Sequence, residues 1–202
     1  MRYNELIESR SSACIVVDVQ PEYTGINDGD ELPWIDELMG FLNRQSGPIL
    51  MFINAEDTGL TNDTKQDVMA YWADSGFTDW DRVTIVDKGY GYLRGWMDQG
   101  IDPRVIIRVI REMYSQGVSD SRELFGGDNS DDYVDKMGGL GVPEHILDDA
   151  ISVEWTSISQ LKRYGGGYIM GGGRSECLRE VELLMSAFNI RAKRIEDFVY
   201  GD

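Results

Sequence analysis

The chain has 202 residues, of which 42% are hydrophobic and five are tryptophan, and its formal net charge is −17. This length allows a substantial core in one domain, and the apolar content is not typical of a disordered protein. Because so acidic a surface repels nucleic-acid backbones and anionic membranes, we expect neither as a partner.

Residues 1–10 are charged and lack the apolar core of a signal peptide, and no apolar run in the chain is long enough to span a bilayer. The only two cysteines are Cys14 and Cys177, too few for a secreted disulfide framework. We therefore expect a cytoplasmic protein in a reducing compartment.

The first half of the chain alternates between short apolar runs and amphipathic segments. Continuous apolar runs are typical of strands that are buried on both faces, and helical spacing of apolar residues indicates the segments between them. The predicted strands are residues 12–18, 48–54 and 83–87, and the predicted helices are residues 33–43 and 61–72. This alternation predicts a doubly wound (Rossmann-like) α/β fold, with a mostly parallel sheet and helices on both faces.

The second half begins with the clearest predicted helix, residues 102–116, which Asp102 can cap and Gly117 follows. Residues 118–150 are polar, glycine-rich and acidic, so we expect an insertion or lid rather than core. Residues 151–155 alternate between apolar and polar, which is typical of an edge strand. The remaining predicted elements are a helix at 156–163, a strand and helix within 168–188, and a weak strand at 191–195. We expect one domain over residues 1–202, with the insertion or lid at about 100–155.

Residues 168–188 read as a short strand, a glycine turn at 171–173 and a helix with Cys177 in its first turn. Unpaired N–H groups at a helix start lower the pKa of a cysteine, and glycines let backbone N–H groups approach a developing oxyanion. The alternative is that Cys177 is a small core residue that only packs against the sheet. Cys14 lies within a strand, where an inert core cysteine is expected.

Asp18 and Lys88 each follow a predicted strand, as Cys177 follows the strand before it. Because the carboxyl ends of parallel strands share one rim, we expect these three side chains to meet. The aspartate would accept the thiol proton and pass it to a leaving group, and the ammonium would stabilise the thiolate, a set suited to cleaving a C–N bond. The alternatives are a structural Asp18–Lys88 ion pair and a Cys177–His145 dyad.

Three segments carry a family resemblance. Asp18-Val-Gln20-Pro-Glu-Tyr23, the segment that begins at Lys88, and the glycine turn that leads to Cys177 resemble, in the same order, motifs of the isochorismatase-like cysteine hydrolases. That superfamily includes nicotinamidases and N-carbamoyl amidohydrolases. The resemblance covers roughly residues 10–98 and 157–198.

The resemblance implies that Cys177 is the nucleophile, Asp18 the general base and Lys88 its electrostatic partner. It also implies an oxyanion hole formed by the N–H groups of Gly173 and Cys177, and a cis peptide between Gly172 and Gly173. Tyr23 would occupy the place of a pocket aromatic. Two further tyrosines, Tyr90 and Tyr92, would line a pocket for a planar substrate or pack in the core.

The chain also departs from the family. Arg174 stands where the family usually has threonine, and it hints at a substrate carboxylate. The family's last strand and helix have no counterpart, and we hypothesise that the insertion covers the open sheet edge through residues 151–155. The metal ligands of nicotinamidases are absent after the second strand, so we expect no metal and no cofactor.

The sequence therefore predicts a hydrolase that cleaves a C–N bond of a small amide, carbamoyl or imide-like molecule through a covalent thioester. Two alternatives remain open. One is a catalytically silent protein of the same fold that binds a partner, and the other is a vinyl-ether hydrolase of the isochorismatase type. An exposed sheet edge would also be compatible with a homo-oligomer.

Overall fold

The computed structural model describes residues 12–24, 33–54, 62–88 and 93–200. Within them, five strands and eight α-helices alternate along the chain. The strands are β1 (Ala13–Val17), β2 (Ile49–Ile53), β3 (Val83–Asp87), β4 (Gly167–Gly171) and β5 (Lys193–Arg194). The helices are α1 (Pro21–Thr24), α2 (Ile35–Arg44), α3 (Lys65–Asp74), α4 (Arg94–Asp98), α5 (Pro103–Gln116), α6 (Tyr133–Leu140), α7 (Trp155–Tyr164) and α8 (Cys177–Ala187).

The five strands form one parallel sheet in the order β3-β2-β1-β4-β5, so the predicted doubly wound α/β fold is confirmed. The chain builds outward from β1 through β2 to β3, and then returns to place β4 on the other side of β1. In such sheets, ligands bind at the carboxyl ends of the two strands where the direction of winding reverses. Here that point lies between β1 and β4, which pair from Ala13–Gly167 to Val17–Gly171.

Helices cover both faces of the sheet because the buried strands are apolar on both sides. Along β1, Ile15 and Val17 belong to one core cluster, whereas Cys14 and Val16 belong to the other. The first cluster packs under α4 to α8, and the second packs under α2 and α3. This alternation follows the two-residue period of a strand.

Residues 118–150 contribute to the core, so the prediction that they lie outside it is wrong. Five of their apolar side chains are buried in the same cluster as α5 and α8, namely Leu124, Tyr133, Met137, Val142 and Ile146. They are spread over short helical turns between polar and glycine residues, and this spacing hides the apolar face in the sequence.

Residues 151–155 are not an edge strand, which corrects a second prediction. Ser152 makes a single antiparallel bridge with Asp120, and Trp155 already begins α7. Ile151 and Val153 alternate because they point into the core. The hypothesis that this segment covers the edge beyond β5 is also wrong, since α7 packs against β3, where the Ser157 hydroxyl donates to the carbonyl of Asp87 (3.2 Å). No helix of the described residues is both long and apolar enough to cross a membrane.

Candidate active site

Asp18 lies immediately after β1, and its backbone adopts a left-handed conformation with φ = 51°. This region is disfavoured for residues with a Cβ atom, so its occupation by an aspartate costs about 1 kcal/mol or more. The Asp18 N–H donates to the carbonyl of Phe52 (2.9 Å), which fixes the end of β1 against β2. The side chain of Asp18 is completely buried.

Gln20 fastens the turn after Asp18 to the end of β2. Its side-chain oxygen accepts the N–H of Asn54, and its side-chain nitrogen donates to the carbonyl of Asn54, both at 3.0 Å. The same nitrogen donates to the buried carboxylate of Asp63 (3.1 Å). These bonds connect the carboxyl ends of two neighbouring strands, and they give a structural role to the glutamine of the first motif.

Lys88 follows β3, and its N–H donates to the carbonyl of Ile53 (2.9 Å). Its ammonium donates to Oδ2 of Asp18 in an ion pair with side-chain exposures of 7% and 0%. Burial lowers the pKa of Lys88, but the charges of Asp18 and Cys177 outweigh that effect and hold the pKa above its ordinary value. The ammonium therefore stays charged at neutral pH.

The glycine turn after β4 cannot be built from other residues. Gly171 and Gly172 have φ angles of 77° and 63°. A Cβ atom on Gly171 would lie 2.4 Å from the carbonyl oxygen of Val17, and one on Gly172 would lie 3.0 Å from the backbone nitrogen of Leu178. The turn thus brings the start of α8 against the end of β1.

The peptide between Gly172 and Gly173 is trans, and the described residues contain no cis peptide, so the cis bond implied by the family resemblance is wrong here. Two successive left-handed glycines reverse the chain without it.

The N–H groups of Gly173 and Cys177 face no acceptor within the part of the chain that the structure describes. The bridge between the turn and Tyr200 uses the carbonyl of Gly172 and the N–H of Arg174 instead (3.2 and 3.1 Å). Since neither N–H group has a backbone acceptor among the described residues, both could donate to an oxyanion.

Cys177 is the first residue of α8 and is partly buried. Burial and the charge of Asp18 raise the pKa of its thiol to about 12, and Lys88 opposes them. The expectation of a lowered pKa is therefore wrong for the resting site, because desolvation and the Asp18 carboxylate raise the pKa by more than Lys88 lowers it. The resting residue is a thiol, and Asp18 lies close enough to it for the carboxylate to raise its pKa.

Oδ1 of Asp18 is buried and has no nitrogen or oxygen donor among the described residues, since Lys88 occupies Oδ2. One carboxylate oxygen is thus held by the ammonium, and the other is available to a proton.

Two tyrosines adjoin these three residues. The Tyr23 hydroxyl accepts a hydrogen bond from the side chain of Asn54 (3.0 Å), and burial and then Asp18 raise its pKa. The Tyr200 hydroxyl donates to the backbone carbonyl of Asp18 (2.8 Å), and its ring stacks on Trp34. Burial, Asp18 and Cys177 raise the pKa of Tyr200. Sequence reasoning missed Tyr200, whose only signal is an aromatic after a weak strand. Tyr90 and Tyr92 lie outside the described residues.

The remaining candidates lie apart from this group. Arg174 forms an exposed ion pair with Glu196. His145 is exposed in a short 3-10 helix and is not among the groups that shift the pKa of Cys177. Cys14 is fully buried within β1, as expected, and burial raises its pKa to about 12.

Glu180 is a buried acid that the sequence analysis missed, because an acid between Arg179 and Glu182 reads as part of a solvated helix face. It lies one turn after Cys177 on α8 and is 4% exposed.

No group of three histidine, cysteine, aspartate or glutamate side chains in the described ranges is placed to hold a metal ion. Comparison with protein-family models, with curated proteins and with solved structures gave no match to this chain.

Proposed function

We propose that the protein is a cysteine hydrolase that cleaves the C–N bond of a small amide, carbamoyl or imide-like molecule. The observation that carries this proposal is the meeting of Asp18, Lys88 and Cys177 where the winding of the sheet reverses, beside two backbone N–H groups that have no backbone acceptor among the described residues. The order of the motifs along the chain supports a place among the isochorismatase-like hydrolases.

The first half of the reaction forms a thioester. Asp18 takes the proton of Cys177, so the negative charge moves from the carboxylate to the sulfur while Lys88 stays beside both. The group keeps its net charge, which makes the transfer feasible in a buried site. The thiolate then forms a C–S bond to the carbonyl carbon of the substrate, and the resulting oxyanion accepts hydrogen bonds from the N–H groups of Gly173 and Cys177. The C–N bond breaks as Asp18 gives its proton to the leaving nitrogen.

The second half hydrolyses the thioester. Asp18, ionised again, takes a proton from water as the water oxygen bonds to the thioester carbon. The C–S bond then breaks, and the sulfur regains the proton from Asp18. The products are an amine or ammonia and an acid, and the residues return to their starting state.

A second candidate is a catalytically silent protein of the same fold that binds a partner. The raised pKa of Cys177 favours it, because the resting thiol is a poor nucleophile without proton transfer. Both candidates use the same buried group, so the test must separate thiol chemistry from turnover.

The test compares Asp18→Asn with wild type in two assays. Loss of the carboxylate charge removes a cause of the high pKa of Cys177, so iodoacetamide should label Cys177 at least about tenfold faster at pH 8. Ammonia release from small amides and N-carbamoyl compounds should fall by about 10²–10⁴-fold, because no group remains to move the proton. Mass spectrometry separates Cys177 from buried Cys14, whose labelling reports unfolding.

Asp132→Asn is the matched control, since Asp132 pairs with Lys136 at the surface and should change neither assay. Cys177→Ala should abolish turnover, and a variant that stays active would indicate vinyl-ether hydrolysis instead. If Cys177 is labelled at the same rate in Asp18→Asn as in wild type, and wild type shows no turnover, then Cys177 is a packing residue and the catalytically silent protein is favoured.

A further inference from the structure

Glu180 is a second carboxyl group within reach of the proposed catalytic residues. It lies three residues after Cys177 on α8, a spacing that puts two side chains on the same helix face. Its side chain is 4% exposed, and its Oε1 has no hydrogen-bond partner among the described residues. A buried acid with one unpartnered oxygen is costly, so its presence at this position calls for an explanation.

A small cavity joins Glu180 to Lys88. It has a volume of about 20 Å³, and its polar lining is Lys88, Glu180, Glu154 and Ser157. The apolar lining includes Phe52 and Val181. The volume is enough for one water molecule, and the polar lining offers it partners. Among the described residues, Lys88 and Glu180 make no direct ion pair, but both line this cavity and their charges interact across it.

Charged groups from several elements face Glu180. Burial, together with Asp18 after β1, raises the pKa of Glu180 to about 7, whereas Lys88 after β3 and Arg94 on α4 favour its ionised form. Glu154 shares the cavity lining at the start of α7, where its side chain caps that helix. Glu180 in turn raises the pKa of both Lys88 and Cys177.

The protonation of Glu180 sets the charge of the group. With a neutral Glu180, the charges of Asp18 and Lys88 cancel, and the ammonium is free to stabilise a thiolate at Cys177. With an ionised Glu180 the same group carries a net charge of about −1, and a thiolate would add a further negative charge beside one ammonium.

We propose that Glu180 is a positioning residue for Lys88. When Glu180 is neutral, the Lys88 ammonium interacts with Asp18 and Cys177. When Glu180 is ionised, it also attracts the ammonium, and the Cys177 thiol stays protonated. This inference rests on the proposed role of Cys177 as the nucleophile. Ionised Glu180 therefore makes Cys177 less reactive in alkaline solution than the same thiol would be without this carboxylate.

The experiment measures iodoacetamide labelling of Cys177 between about pH 5.5 and pH 8.5 in wild type and Glu180→Gln. Since the amide cannot ionise, the ratio of the variant rate to the wild-type rate should be near 1 at the acidic end and rise to about tenfold at the alkaline end. Glu182→Gln is the matched control, because Glu182 lies on the same helix and pairs with Arg194. A ratio that stays constant with pH, or that rises equally in Glu182→Gln, would overturn the inference.

Two further measurements keep the inference testable if Glu180→Gln folds poorly. Glu180→Ala is also uncharged and suits a helix, so it should give the same pH-dependent ratio. In wild type, carbon-13 NMR of labelled glutamate should show one side-chain carboxyl that titrates between about pH 6 and pH 8, and its absence would contradict the inference.

The proposed function fails separately. It fails if Cys177 labelling ignores Asp18→Asn, whatever the glutamate titration shows.

Discussion

Asp18 combines three features that add no stability by themselves. Its backbone is strained at φ = 51°, its carboxylate is completely buried, and one of its oxygens lacks a donor among the described residues. A buried ion pair such as Asp18–Lys88 often contributes less than the desolvation of its two charges costs. Strained and desolvated residues of this kind cluster at functional sites, which supports a chemical role.

At the residue scale, the sequence predicted the meeting of Asp18, Lys88 and Cys177 because each follows a strand and parallel strands end on one rim. It could not predict Glu180, since helix position alone does not distinguish an acid that faces a cavity from one that faces solvent. It also could not predict the role of Tyr200, because this residue is distant from Asp18 in the sequence and only the fold brings its hydroxyl to the Asp18 carbonyl.

A stability measurement tests Glu180 without reference to catalysis. The pKa of this carboxyl rises from an ordinary value of 4.5 to about 7 in the folded protein. The folded state then binds the proton more tightly than the unfolded state, so the free energy of unfolding falls as pH rises between these values and levels off above them. Between pH 5.5 and pH 8.5 this loss is about 2 kcal/mol.

Glu180→Gln should remove this loss. Urea unfolding should show the stability of the variant, relative to wild type, rising by about 2 kcal/mol over that range. This range lies above the sequence pI of about 4.3, where solubility would limit the measurement. A difference that does not change with pH would show that Glu180 is ionised in the folded protein throughout. Glu182→Gln, at an ion-paired position, should give no such rise.

At the scale of the element, the turn between β4 and α8 decides where the nucleophile lies. Gly171 is the last residue of β4. Because it has no Cβ atom, it can lie against the carbonyl of Val17 and adopt the φ of 77° at which the chain turns. A short strand from residue 168 and the helix that carries Cys177 were predicted from an apolar run and a glycine cluster, whereas β4 also includes Gly167 and Gly171, the latter of which was expected in the turn. The isomer of the Gly172–Gly173 peptide was not predictable, because a glycine cluster is compatible with either a trans or a cis bond.

Gly171→Ala should destabilise the protein by roughly 3 kcal/mol or more, since its Cβ atom would overlap a backbone oxygen that cannot move without distorting β1. Gly165→Ala is the matched control: Gly165 also has a positive φ, of 69°, but a Cβ atom there meets nothing within 4 Å. That control should cost only about 1 kcal/mol. Thermal and urea unfolding measure both, and equal losses would show that the close approach to Val17 is unimportant.

Other elements show where sequence patterns succeed and fail. The α5 helix begins and ends as predicted, because Asp102 accepts the N–H of Arg104 (2.8 Å) and Gly117 adopts the left-handed conformation. Residues 151–155 were mistaken for a strand, since two alternating buried residues satisfy the same pattern when a chain crosses the core without pairing. Local signals at helix ends are chemical and specific, whereas alternation reports burial alone.

At the scale of the whole molecule, the sheet divides the core into two clusters, and residues 100–155 complete one of them. The α5 helix packs on α8, which carries Cys177 and Glu180, and its buried face includes Ile106, Val109 and Ile110. Residues 100–155 therefore pack against α8, the helix that carries Cys177, and help to hold it in place. Composition alone did not predict this, because polar and glycine residues dilute the apolar positions that become buried.

A pair of substitutions on α5 tests whether this segment belongs to the cooperative core. Ile110 is fully buried, whereas Ile107 on the same helix is only partly buried, so the same change to alanine can be compared at two depths. Ile110→Ala should lower the free energy of unfolding by about 2–5 kcal/mol, and Ile107→Ala by clearly less. Urea unfolding followed by tryptophan fluorescence and by circular dichroism should show one shared transition for each variant, since α5 and α8 pack together. If Ile110→Ala left the main transition unchanged, residues 100–155 would unfold separately as a lid, and the position of α8 would not depend on them.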